Sequence, residues 1–127
     1  LLRKIVGFER KNGILTIGAT NRAMDLDRAL LSRFDTILRF PMPDAKEREA
    51  IFRQYVHHLN DAELKGLSEL GEGLSGRNIR DICQMAERRW ARHLVIEKAA
   101  ASAPPASTYL ELVREKIRDI EWLQLHS

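Results

Sequence analysis

The chain has 127 residues, with 21 Lys and Arg, 18 Asp and Glu, and a formal charge of +3. That length can bury a core of ordinary single-domain size, and a composition 44% hydrophobic and 31% charged excludes a disordered chain. A single cysteine, Cys83, closes no disulfide within the chain, and no apolar run approaches the roughly 20 residues of a membrane-spanning helix.

Leu1, Leu2, Ile5 and Phe8 recur at helical spacing, so Leu1 to Phe8 is expected to be the end of a helix cut off at its start. Asn12-Gly13 marks a turn, and Ile14-Leu15-Thr16-Ile17 is a short apolar run ending at Gly18. Such a run suits a strand buried on both faces, the kind found in parallel sheets. Asp25 to Arg33 reads as a short helix with Leu26, Leu30 and Phe34 on one side. Thr36 to Phe40 is a second candidate strand, closed by Pro41-Met42-Pro43. Two prolines one residue apart end both sheet and helix, so this stretch reads as a connector between subdomains.

Beyond it the pattern turns helical. Asp44 with Glu47 has the spacing of a capping box, followed by apolar Ala50, Ile51, Tyr55 and Leu59. A shorter helix is expected from Ala62 to Leu70, stopped by Gly71 and Gly73. Ser75 can cap a long helix carrying Ile79, Ile82, Cys83, Ala86 and Trp90 on one stripe. A linker rich in small residues contains Pro104-Pro105, and Thr108 with Glu111 opens a last helix carrying Leu112, Ile117, Ile120 and Leu123.

Chemistry is sparse by spacing alone. No Gly-rich loop ends in Gly-Lys-Ser/Thr, and no Cys/His cluster has metal-ligand spacing, so no metal site is expected. Cys83 lies on the apolar stripe, where a buried and inert thiol is expected. Basic residues interleave with acidic ones, so no nucleic-acid partner is expected either. The densest basic cluster, Arg88, Arg89, Arg92 and His93, reads as last-turn cations that favour the helix dipole, with an anionic partner as the alternative. Two polar residues stand out. Asn21 follows the first candidate strand, where open parallel sheets hold functional groups; its amide either orients a water or phosphate oxygen or forms a simple turn. Arg33 ends a short helix, where its guanidinium either reaches a phosphate or makes a helix-end salt bridge.

Taken together, four segments resemble the AAA family of ATPases within the AAA+ superfamily. Ile17-Gly18-Ala19-Thr20-Asn21-Arg22 resembles the strand-end motif called sensor 1, and Leu26 to Asp35 resembles the segment carrying the arginine finger. Phe40-Pro41-Met42-Pro43-Asp44 is similar to the connector to the small helical lid, and Gly73 to Gly76 followed by Ile79 to Cys83 is similar to the lid's nucleotide-facing helix. The resemblance runs in order from Leu1 to about Val95. It implies an α/β fragment, the last two strands of a parallel P-loop NTPase-type sheet, followed by an α-helical lid and mostly α by content. The implied organisation is a remnant of the large α/β subdomain over 1–43, the lid over 44–98, a linker over 99–107 and a C-terminal helix over 108–127.

The resemblance also implies roles. Asn21 is sensor 1, holding the attacking water, and Arg33 is an arginine finger acting in the neighbouring subunit's site, which requires a ring, typically a hexamer. Gly76 brings lid backbone close to the adenine, Tyr55 stands where many relatives place a histidine beside the base, and Arg80 is a candidate sensor 2. Leu31 and Ser32 occupy the stretch where many relatives carry a second arginine, and Arg77 replaces the usual small residue after the lid glycine. The family's P-loop and Walker B acidic pair are expected to precede Leu1. ATP and Mg2+ are therefore expected for a parent protein that remodels protein substrates, and none for this chain alone, which is expected not to hydrolyse ATP. An intracellular, cytoplasmic setting fits that reading. The alternative is a non-catalytic helical protein-interaction module.

Overall fold

The computed structural model of the chain describes residues 13–20 and 22–127. The expected helix end, Leu1 to Phe8, and Asn21 lie outside the described residues. The chain separates into two compact units, Leu1–Phe40 and Pro41–Ser127.

In the first unit, among the described residues, neither Ile14 to Ile17 nor Thr36 to Phe40 forms a strand. The expected sheet strands are replaced by extended, unpaired chain. Leu15 and Ile17 are each 83% exposed and Phe40 is 91% exposed. A run buried on both faces in a sheet has a stable strand conformation only when neighbouring strands complete its hydrogen bonds. No described segment supplies such a neighbour. Between the two runs, the expected helix from Asp25 to Arg33 is broken in two. A 3₁₀ turn covers Ala23–Asp25 and a single helical turn, α1, covers Arg28–Leu31. Asp27 divides them, because its carboxylate accepts the Ala29 N–H at 3.1 Å and starts a new helix there. Leu30 is buried, and Leu26 and Phe34 are half-buried.

The second unit is built from four helices, α2 (Ala45–Tyr55), α3 (Asp61–Leu70), α4 (Gly76–Glu97) and α5 (Ala106–Leu125). Each packs against two others, closing a ring in the order α2, α3, α5, α4. Three of the four begin with a reciprocal capping box: Asp44 with Glu47, Asn60 with Glu63, and Ser75 with Asn78. Each box satisfies two otherwise orphaned backbone donors, which is why the helices start where they do. The last helix starts two residues earlier than Thr108. Pro105 holds an extended backbone just before it without a side-chain cap, and Thr108 lies buried within the first turn.

Phe52, Val56, Leu64, Leu67, Leu74, Ile79, Ile82, Cys83, Ala86, Tyr109, Leu112 and Val113 form one continuous core. The buried face of α2 is therefore rotated from the expected stripe: Phe52 and Val56 point inward, while Ala50 and Tyr55 are exposed. On α5 the expected stripe holds for Leu112, which is buried, and for Ile117 and Ile120, which pack against the core; Tyr109 and Val113 join it, and Leu123, 59% exposed, stays outside. Burial pushes the Cys83 thiol up to about 12, so the inert neutral thiol expected from the sequence is what the core holds.

Two glycines between α3 and α4 have distinct reasons. Gly73 adopts a φ of +90°, which few other residues tolerate. A Cβ on Gly71 would lie 3.0 Å from both the Leu67 carbonyl oxygen and Leu74 Cδ1, and the carbonyl, being backbone, does not yield cheaply. Arg48 is the one buried arginine among the described residues. Its Nε donates to the Ser68 carbonyl at 2.9 Å and its Nη1 to the Pro43 carbonyl at 2.8 Å, tying the proline connector to α3. The segment before α5 is held at two points, by Trp90 Nε1 donating to the Ser102 carbonyl at 3.1 Å and by His58 Nε2 lying 2.6 Å from the Pro104 carbonyl.

Candidate functional site

The expected site residues fall in both units. In the first, Thr20 and Arg22 are joined by a hydrogen bond from the Arg22 N–H to Thr20 Oγ1 at 3.0 Å. Arg22 also pairs with Asp25 at 2.6 Å. Arg33 follows α1, where its backbone N–H donates to the Leu30 carbonyl at 3.1 Å and its side chain is exposed. The buried Leu30 and half-buried Leu26 and Phe34 anchor the turn that carries it.

In the second unit, α4 begins with the candidate residues in order. Ser75 caps the helix by accepting the Asn78 N–H at 3.1 Å, and Asn78 Oδ1 accepts the Ser75 N–H at 2.9 Å. This consumes the third donor of the helix and leaves the N–H groups of Gly76 and Arg77 without partners among the described residues. Both point along the axis at the positive end of a 22-residue helix.

Gly76 differs from the two glycines just before it. Its φ is outside the left-handed region, and a Cβ there would meet only Ile51 Cδ1, at 3.7 Å, which is ordinary contact. The packing of the unit itself therefore gives no reason for a glycine at this position. Ile51 lies on α2 one turn before Tyr55, so it links the two candidates: Gly76 abuts Ile51, and Tyr55 is Ile51's neighbour at the i+4 position. Tyr55 is 39% exposed at the end of its helix, leaving part of its ring open. The start of α4 and the end of α2 thus present backbone donors, an aliphatic side chain and an aromatic ring on one side of the unit.

Arg77 is exposed at the second helical position. Arg80 is drawn to its neighbour Asp81 at 3.4 Å, with both side chains nearly half exposed. An exposed pair of that length is weak, so the guanidinium keeps its freedom at little cost. A shallow depression of about 320 Å³ lies elsewhere, lined by Leu70, Arg114, Ile117 and Arg118, and contains none of these residues. Among the described residues no group of three His, Cys, Asp or Glu is placed to hold a metal ion, and no helix is long and apolar enough to cross a membrane. Sequence reasoning missed Arg48, whose alternating charged neighbourhood, Lys46 to Glu49, reads as a solvated face although the side chain holds the connector in place.

Comparison with known proteins bears on what these surfaces do. The family described as ATPase family associated with various cellular activities (AAA) matches residues 1–42. The proteasome-activating nucleotidase of Methanoculleus marisnigri is 38% identical over 91 residues, covering 68% of this chain and 22% of the relative. That of Saccharolobus solfataricus is 41% identical over 88 residues, covering 65% and 22%. That of Methanopyrus kandleri is 40% identical over 91 residues, covering 68% and 21%. The chain belongs to the AAA family of ATPases.

The chain spans about a fifth of the length of these relatives. The AAA match covers the whole of the first unit, including Arg33, and two residues beyond it, and the four-helix second unit fits the helical lid of an AAA ATPase. Tyr55, Gly76, Arg77 and Arg80 all lie in the four-helix unit, on α2 and the first turns of α4.

Proposed function

We propose that this chain is the C-terminal portion of an AAA-type ATPase module whose whole protein couples ATP binding and hydrolysis to remodelling of protein substrates, in a cytoplasmic ring that is typically hexameric. The relatives named above, proteasome-activating nucleotidases, support a nucleotide-driven activity directed at proteins. The observation that carries the reading is Gly76. A glycine that neither backbone conformation nor internal packing requires, at the open N-terminus of a long helix beside an exposed aromatic ring, is explained by close approach of a flat ligand.

In this reading the adenine lies against the backbone of Gly76, with Ile51 and Tyr55 flanking it. The free N–H groups of Gly76 and Arg77 and the guanidinium of Arg80 face the anionic side of the nucleotide. Arg33 serves in trans as the arginine finger, its permanent positive charge stabilising charge on the transferring phosphoryl group of a neighbouring subunit. Asn21 serves as sensor 1, orienting water through its amide. Mg2+ neutralises phosphate charge when the nucleotide is bound. The single chain lacks a phosphate-cradling loop of its own in sequence, so turnover belongs to the larger module.

The test is a chimera in which this chain replaces the matching segment of the Methanoculleus marisnigri protein. The chimera hydrolyses ATP, and Arg33→Ala lowers turnover by about a thousandfold with nucleotide affinity nearly intact. Gly76→Val weakens nucleotide binding while the lid melts at the same temperature. Full turnover in the Arg33→Ala chimera removes the finger assignment, and unchanged affinity with Gly76→Val removes the adenine surface. A second reading, a non-catalytic interaction module, is favoured by the self-contained core of the lid; it expects both substitutions to be silent.

A further inference from the structure

The basic cluster Arg88, Arg89, Arg92 and His93 has no explanation in the nucleotide site. The helix dipole does not explain it either. α4 continues to Glu97 and carries no basic residue in its last turn, whereas dipole stabilisation fades within that turn.

Two of the four residues have local reasons. Arg89 makes a two-pronged pair with Glu115 across the α4–α5 seam, each bond 3.1 Å, and His93 lies with its ring 4.9 Å from that of Trp90. Arg88 and Arg92 are exposed, one turn apart, and make no ion pair or hydrogen bond among the described residues. Steps of three and four residues place Met85 before them and Ile96 after them on the same face. Met85 is 49% exposed and Ile96 is 64% exposed, with Val95 beside it at 77%. The line from Met85 to Ile96 is about 16 Å long at 1.5 Å per residue. It runs along an exposed flank of α4, turned away from the buried Ile79, Cys83 and Ala86 and bordering Ile82 at its Met85 end.

Two unpaired guanidiniums between two apolar ends are complementary to a surface with two carboxylates one turn apart and apolar side chains beyond them. Guanidinium forks take carboxylates bidentately, and burial of Met85 and Ile96 supplies the apolar part of the contact. A phosphate backbone would satisfy the arginines and leave Met85, Val95 and Ile96 in water. We propose that this face of α4 docks an acidic amphipathic helix of a protein partner, with its carboxylates on Arg88 and Arg92.

The test uses the full chain and a fluorescein-labelled alanine-based helical peptide bearing two glutamates one turn apart, flanked by leucines one turn further out. Anisotropy titration finds it binding about tenfold more tightly than the peptide with glutamines in their place, a difference of about 1.4 kcal/mol. Arg88→Glu with Arg92→Glu abolishes that preference, and a peptide with lysines in place of the glutamates binds the doubly substituted chain. An unchanged melting temperature shows that the variant is folded. Equal binding of glutamate and glutamine peptides overturns the proposal, as does a preference that survives the double substitution. Tighter binding of a single-stranded oligonucleotide through the same arginines overturns it in favour of nucleic acid. Self-association of the chain that the same substitutions remove overturns it in favour of a second copy.

Discussion

The four-helix unit and the segment before it use similar apolar residues to opposite ends. In the four-helix unit, Phe52, Leu67, Ile79 and Val113 are fully buried, and capping boxes fix where three of the helices begin. In residues 13–40, Leu15, Ile17, Leu38 and Phe40 have the hydrophobicity of a buried sheet, yet all are largely exposed. Helices satisfy their backbone hydrogen bonds within a local stretch and need only a second helix to cover one face. A central strand needs neighbours on both edges and cover on both faces. The four-helix unit carries its own partners. The other segment does not find them among the described residues.

The sharpest break in that comparison is a pair of phenylalanines. Phe52→Ala leaves a cavity in the four-helix core and costs about 3–5 kcal/mol of stability, whereas Phe40→Ala changes it by less than about 0.5 kcal/mol. Urea unfolding of the two variants measures the difference directly. Equal effects would mean that the first unit has a core of its own weight.

Next comes the connector. Arg48→Met leaves the carbonyls of Pro43 and Ser68 without their donors, and a loss of about 2 kcal/mol is expected in the same unfolding experiment. Gly71→Ala forces a Cβ against the Leu67 carbonyl and costs about 1–3 kcal/mol, while Gly76→Ala leaves stability unchanged or raises it slightly. Thermal melts of the two alanine variants separate the glycine that the fold needs from the one it does not.

Alkaline pH probes the same core. Burial pushes both the Cys83 thiol and the Tyr109 phenol up to about 12. The unfolded chain therefore loses these protons at lower pH than the folded one. Their contribution is complete below the ordinary cysteine range and is lost as pH rises through it toward 12. Urea midpoints measured from pH 7 upward should fall over that window, and Cys83→Ala should flatten the early part of the decline. The smallest expected effect is at the α4–α5 seam. The Arg89 pairing holds the Glu115 carboxyl below its usual range, but both side chains are more than 40% exposed. Arg89→Ala should cost under about 1 kcal/mol at low salt and less as salt is added, since solvent screens such a pair.

Much of the four-helix unit was legible because its signals are local. Asp44 with Glu47, Ser75 before an apolar stripe, and Gly71 and Gly73 after Leu70 each act within a few residues. Asn60 with Glu63 was equally available, although the helix, which begins at Asp61, was expected to begin one residue later, at Ala62. The candidate site was legible only through family resemblance. Nothing in the spacing of Tyr55, Gly76 and Arg80 announces a shared surface, because Ile51 joins the first two across different helices.

The sequence by itself determined where two helices of the four-helix unit start, after Asp44 and after Ser75, that Cys83 would be buried, and which family the chain resembles. These follow from caps, periodicity and motif order, all read along one strand of covalent chain. Tertiary structure decided which face of α2 turned inward, that Arg48 would be buried between two carbonyls, that Gly76 has no role in packing, and that Arg88 and Arg92 stand unpaired in mid-helix. Those outcomes depend on distances between residues remote in sequence. Tertiary structure also decided that Ile14 to Ile17 and Thr36 to Phe40 stay unpaired, because a strand is completed by neighbours that its own residues do not encode.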